Sequence, residues 1–251
     1  MLVDPLSYPY VVLAGAAFLG FTAQTMSGFG GMLVALTAGA FVAPIPELLP
    51  LLVPASLFQM LVVGARHWRA ARWRLLLTAV LPLMAGGAVL GYLLATRLAV
   101  HTLARAFGAA VASFAAYELW ALSRAGAPVR PPLPRPLAFL GLVAAGVLQG
   151  AYATGGPPLV YVLGRAQLDK AALRATLTMA FLPLNVGIVS GYLLEGRLTV
   201  DHALPLGVLL GVTTLGLGVG EWLHGAVDER RFRLVVFVLL LLAGGALLLG
   251  R

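Results

Sequence analysis

The 251-residue sequence has no cysteine and little charge, with 10% of its residues Asp, Glu, Lys or Arg. The first absence excludes disulfides, thiolate metal sites and cysteine nucleophiles. The second excludes a soluble globular domain, which at this length needs a far larger polar shell than so few charges can supply. The four histidines form no close ligand pair. No metal or other cofactor is expected. Paired carboxylates, a nucleophile with its base and a metal triad are all missing from the apolar stretches. Ser27 lies in SGFGG rather than in G-x-S-x-G, so the chain does not read as an enzyme.

What fills the sequence is apolar: 61% of residues are hydrophobic and the mean hydropathy is +0.97. That is the composition of an integral membrane protein. Ten apolar segments follow one another, at roughly 9–28, 30–46, 48–65, 75–95, 100–122, 136–154, 156–164, 172–194, 202–223 and 231–250. A helix needs about 20 residues to cross a bilayer. The segment after Gly156 is too short to cross alone, and the one after Gly31 is marginal. Each is expected to join its predecessor either as a re-entrant hairpin or as a crossing with irregular backbone. The opening MLVDPLSYPY has no positive region before its first apolar run, so that run reads as a retained helix.

The formal net charge of +8 is distributed in clusters rather than in a stripe. Thirteen of the 17 basic residues fall in four loops: Arg66, Arg69, Arg72 and Arg74; Arg124, Arg130 and Arg135; Arg165, Lys170 and Arg174; and Arg230, Arg231 and Arg233. These alternate with basic-poor loops. The positive-inside rule makes the four basic loops cytoplasmic and both termini external. No aromatic residues interleave with the arginines as a nucleic-acid surface requires, so nucleic acid is not an expected partner.

The most informative motifs are two glycine breaks, QTMSGFGG at Gln24–Gly31 and QGAYATGG at Gln149–Gly156, with 125 residues between equivalent positions. Interrupted helices at matching points of two halves mark the binding site of a carrier. SRAGAPVRPPLPRP, with its five prolines, is the natural linker. It divides the chain into an N-terminal repeat, 1–122, a cytoplasmic Pro/Arg-rich linker, 123–136, and a C-terminal repeat, 137–251. Five segments per half is an odd number, so the second half enters the membrane inverted. The expected fold is therefore an all-α polytopic membrane protein of two inverted repeats. Further pairs agree with it: Gly87 and Gly91 match Gly216 and Gly220, and Gln59 matches Asn185 at an offset of 126.

These motifs resemble the TauE/SafE sulfite exporter family of the four-toluene-sulfonate uptake permease group. The likeness spans nearly the whole chain: SGFGG closing the first segment, a proline after the second, a basic turn after the third, and a central break with a second Gly-Gly motif. LRATLTMAFLPLN, from Leu173 to Asn185, is similar to the family's segment after that motif. The resemblance implies a bacterial inner-membrane transporter of sulfite, thiosulfate, sulfoacetate or a related sulfonate. Phe29, Met32 and TGGPP depart from the family pattern at positions that border a substrate.

The physics of the breaks points to an anion without the family. A helix that starts inside the bilayer presents unpaired N–H groups and a partial positive charge. Hydrocarbon offers those donors no partner. Gly28, Gly30, Gly31, Gly155 and Gly156 allow close approach of an oxyanion to the backbone. Pro157 and Pro158 suit the opening turn of a helix but remove donors, so the first break is the richer of the two. Gln24, Ser27, Gln149, Tyr152 and Thr154 add neutral hydrogen-bonding groups that either meet the anion or hold the broken backbone. Ser56, Gln59 and Asn185 extend the candidate set. Glu118 and Glu221 are candidate proton-coupling carboxylates, although each lies beside a tryptophan where an interfacial position is the plainer reading. The expected partners are a small anion, a coupling proton or sodium ion, and the lipid bilayer; assembly as a homodimer is left open. An anion channel of the same fold and a non-transporting membrane scaffold remain as alternatives.

Overall fold

The computed structural model describes residues 7–27, 29–124, 133–223 and 229–250, the side chains of 26, 27, 223 and 229–233 excepted. The described residues are 86% helical and contain no strand. In chain order the helices are α1 (Tyr8–Ser27), α2 (Gly31–Gly39), α3 (Ile45–His67), α4 (Trp73–Arg97), α5 (Val100–Ser123), α6 (Arg135–Tyr152), α7 (Gly156–Leu163), α8 (Lys170–Leu194), α9 (Ala203–Leu223) and α10 (Glu229–Leu249). One π-helical turn, Leu76–Val80, lies within α4.

Local chemistry explains the punctuation. Pro44 and Pro134, in extended conformation, precede α3 and α6, and each helix carries a further proline in its first turn where a missing N–H costs little. The Oδ1 of Asp169 caps α8 by accepting the Ala172 N–H at 2.7 Å. Gly30, at φ 91°, starts α2 from a left-handed conformation. Helix α6 ends at Ala153, which holds φ 53°.

Helices α3, α4, α5, α8 and α9 are long and apolar enough to cross a membrane. At about 1.5 Å per residue, the nine residues of α2 and the eight of α7 cannot. Each instead folds back on its predecessor. Gly20 of α1 packs against Gly31 and Gly39 lies against Leu13, so α1 and α2 are antiparallel. Gly155 packs against Ala145 and Gly141 against Val162, which makes α6 and α7 antiparallel too. Of the two geometries left open by the sequence, the hairpin is the one adopted.

The helices pair in a pattern that exchanging the two halves leaves unchanged. α3 packs on α8 and α5 on α10, while α1 packs on α9 and α6 on α4. The first two pairs are antiparallel: Gly64 meets Thr178 and Met179 at one end of α3, and the Pro46 carbonyl accepts from Arg197 at the other. Similarly, Gly108 faces Gly244 and Phe114 faces Phe237. Equivalent helices of the two halves thus run in opposite directions, the geometry of an inverted repeat. Tight crossings use small residues. Gly87 and Gly91 of α4 sit directly on the backbone of Gly146 and Val147, and Gly216 and Gly220 of α9 lie on Thr22 and Thr25.

Candidate functional site

The tips of the two hairpins meet. Gly156 faces Phe29, and a partly open recess lies between the tips. Gly30 and Gly156 contribute backbone to it. Gln24, Gln149, Thr154 and Thr178 contribute polar side chains, and Phe29, Met60 and Phe181 form its apolar wall. Glycine is favoured at Gly30 by its positive φ, although the space around a Cβ there is open, whereas a Cβ at Gly156 would meet Phe29 at ordinary van der Waals distance. Among the described residues, no charged side chain lines it.

The two glutamines do the same work in both halves. Gln24 Oε1 accepts the Gly31 N–H at 3.0 Å, and Gln149 Oε1 accepts the Gly155 N–H at 2.9 Å. Each satisfies one donor at the start of the short helix its own hairpin returns through. The amide oxygens are thereby committed to the backbone, the second of the two roles the sequence allowed. Gln149 also donates from Nε2 to Asn185 Oδ1 at 2.6 Å, and Asn185 Nδ2 reaches the Met60 sulfur at 3.3 Å. On the other side, Gln59 Nε2 donates to the Phe21 carbonyl at 2.8 Å and to Thr25 Oγ1 at 3.0 Å. An amide on α3 therefore holds α1, and its counterpart on α8 holds α6.

Donors remain for a ligand. Met32 and Leu33, the second and third residues of α2, border the recess, and their N–H groups have no acceptor within the helix. At α7 the next two residues are Pro157 and Pro158, which offer none, and the Leu159 N–H already reaches the Gly155 carbonyl at 3.4 Å. The first break is the richer in donors. Both helix starts present the positive ends of their dipoles.

Other expected residues are placed differently. The hydroxyl of Tyr152 donates to the Leu103 carbonyl at 3.0 Å and its ring stacks near Phe107, so it braces α6 against α5 and is turned away from the recess. Ser56 is fully buried, and its hydroxyl has no partner among the described residues. Glu221 forms an exposed ion pair with Arg66 at the arginine-rich end. Glu118 of α5 is buried within the protein, 7% exposed. Gly28 and the Ser27 side chain lie outside the described residues. Met60 and Phe181 were not anticipated, since an apolar residue in an apolar helix carries no signal of what it faces.

A family model described as Sulfite exporter TauE/SafE matches residues 12–247, nearly the whole chain. The chain belongs to the TauE/SafE sulfite exporter family. No curated protein and no solved structure matches it significantly. Membership makes it a multi-pass membrane protein of a transporter family for sulfur anions such as sulfite. In this TauE/SafE chain the family span takes in both hairpins and all of the long helices around them.

Proposed function

We propose that the protein is a secondary carrier for a small sulfur oxyanion or sulfonate, binding it in the recess between the hairpin tips. The observation that carries this reading is the convergence of Gly30 and Gly156, the starts of two oppositely directed short helices, on one uncharged recess. A three-oxygen head accepts hydrogen bonds from the Met32 and Leu33 N–H groups at the start of α2 and draws on both helix dipoles. Neutral donors suit a carrier, which must release what it captures. The halves 1–122 and 137–251, joined by 123–136, rock about the bound anion and expose it alternately to each side. With the arginine-rich end cytoplasmic, both termini face outward.

The test is flux in proteoliposomes. Saturable uptake of labelled sulfite, thiosulfate or sulfoacetate, with counterflow when the same anion is trapped inside, is expected. Large conductance without counterflow would replace the carrier with a channel. Absence of both flux and ligand-induced thermal stabilisation across sulfite, thiosulfate, taurine, sulfoacetate and small carboxylates would refute transport of these anions.

A further inference from the structure

A second, narrow cavity adjoins the recess on the arginine-rich side. Gln24, Met60 and Thr178 line both, so the two are successive steps of one path. The second cavity adds Gln59, Val63 and one charged group, Arg174. Arg174 is half-buried on α8, exactly one helical turn before Thr178, whose hydroxyl donates to the Arg174 carbonyl at 3.0 Å. A guanidinium thus stands one turn from the recess, inside the path rather than in a loop.

Four other arginines of that end make contacts of their own. Arg66 pairs with Glu221, Arg69 lies over the Trp68 ring, Arg124 lies over Trp120, and Arg165 donates to the Tyr161 hydroxyl. Glu221 also acts electrostatically on Arg174.

We propose that Arg174 captures the oxyanion at the arginine-rich mouth of the path, where the Glu221 carboxylate of the same end repels it. This rests on the carrier reading above. The fork of guanidinium donors matches a sulfite or sulfonate head. A single positive charge between low-dielectric walls concentrates anions and speeds their entry. Placed one turn from the recess, it does so without fixing the anion in the binding site.

The experiment measures kcat/KM for labelled sulfite in proteoliposomes, at low and high ionic strength. Arg174→Gln should lower kcat/KM about tenfold and flatten its salt dependence. Arg174→Lys should restore most of the loss, and Arg69→Gln, an exposed arginine of the same end, should leave kcat/KM within twofold of wild type. Glu221→Gln should move the other way, raising kcat/KM two- to fivefold. A wild-type protein that saturates with sulfite while Arg174→Gln keeps its kcat/KM and salt dependence would overturn the proposal alone. Equal losses in Glu221→Gln and Arg174→Gln would also overturn it, reducing the pair to a structural lock. A wild-type protein that moves no oxyanion fails the carrier reading instead. If Arg174→Gln does not insert, the opposed responses of Arg174→Lys and Glu221→Gln still decide.

Discussion

Replacing Gln149 by methionine removes an amide of similar length from a position only 1% exposed. Two groups lose their partner: the Gly155 N–H, now 2.9 Å from Oε1, and Asn185 Oδ1, now 2.6 Å from Nε2. Stranding a buried polar group costs about 1–3 kcal/mol, so Gln149→Met should cost about 2–6 kcal/mol. Asn185→Leu strands the Gln149 amide and forfeits the weaker contact to Met60, at about 1–3 kcal/mol. The double variant removes both ends of the Gln149 to Asn185 bond and leaves only the Gly155 N–H without its acceptor. Its cost should fall short of the sum of the single costs by about 2–6 kcal/mol, the two ends of that bond each being stranded in only one single variant. Thermal unfolding in detergent reads this directly, since each kcal/mol shifts the midpoint by about 2–4 °C in a chain of this size. Gln24→Met, which strands only the Gly31 N–H in a less buried setting, should cost less than Gln149→Met. Additive shifts for Gln149→Met and Asn185→Leu, or a Gln24→Met variant less stable than Gln149→Met, would refute the account of α8 holding the second hairpin.

Three further outcomes are expected. Gly30→Ala, with φ 91° but no neighbour within 4 Å of a new Cβ, should cost about 1–2 kcal/mol from backbone strain alone, read as a lowered unfolding midpoint. Gly156→Leu drives a side chain against Phe29 across the recess, so it should abolish sulfite flux while membrane insertion is kept, whereas Gly91→Leu, whose Cβ would fall on the Val147 carbonyl, should prevent folding. Arg66→Gln removes one side of an exposed ion pair and should change stability by less than about 1 kcal/mol, checked by the same melting curve.

Much of this architecture is legible in the residues because hydropathy and glycine placement act locally. The order of the ten helices and the interruption at each Gly-Gly motif follow from apolar runs and from breaks that only glycine tolerates. The end of α2 is less legible. Residues 40–43 are as apolar as the helix before them, yet they turn toward Pro44 and leave α2 at Gly39 rather than near 46. Composition does not register that turn. Proline misleads in the opposite way at Pro46, where it opens α3 instead of delaying it. At the site, the matched placement of Gln24 and Gln149 is visible at an offset of 125. Which face each amide shows is not, because an amide in a helix serves a ligand or a backbone equally well until the partner helix is placed. Arg174 escapes for a related reason. It reads as part of a basic loop, but α8 begins at Lys170, so the same charge that sets topology also enters the path.

The crossed pairing of α1 with α9 and α6 with α4 bears on how the molecule is made. Tyr10 donates its hydroxyl to the carbonyl of Pro205, 195 residues later in the chain. At about 5–20 residues per second, the first hairpin waits about 10–40 s after synthesis for the helix that covers it. During that interval the α1 face bearing Thr22 and Thr25, later covered by Gly216 and Gly220, meets lipid or the insertion machinery instead. Biogenesis thus has a built-in pause, and the first half is a client that only the last helices of its own chain can release.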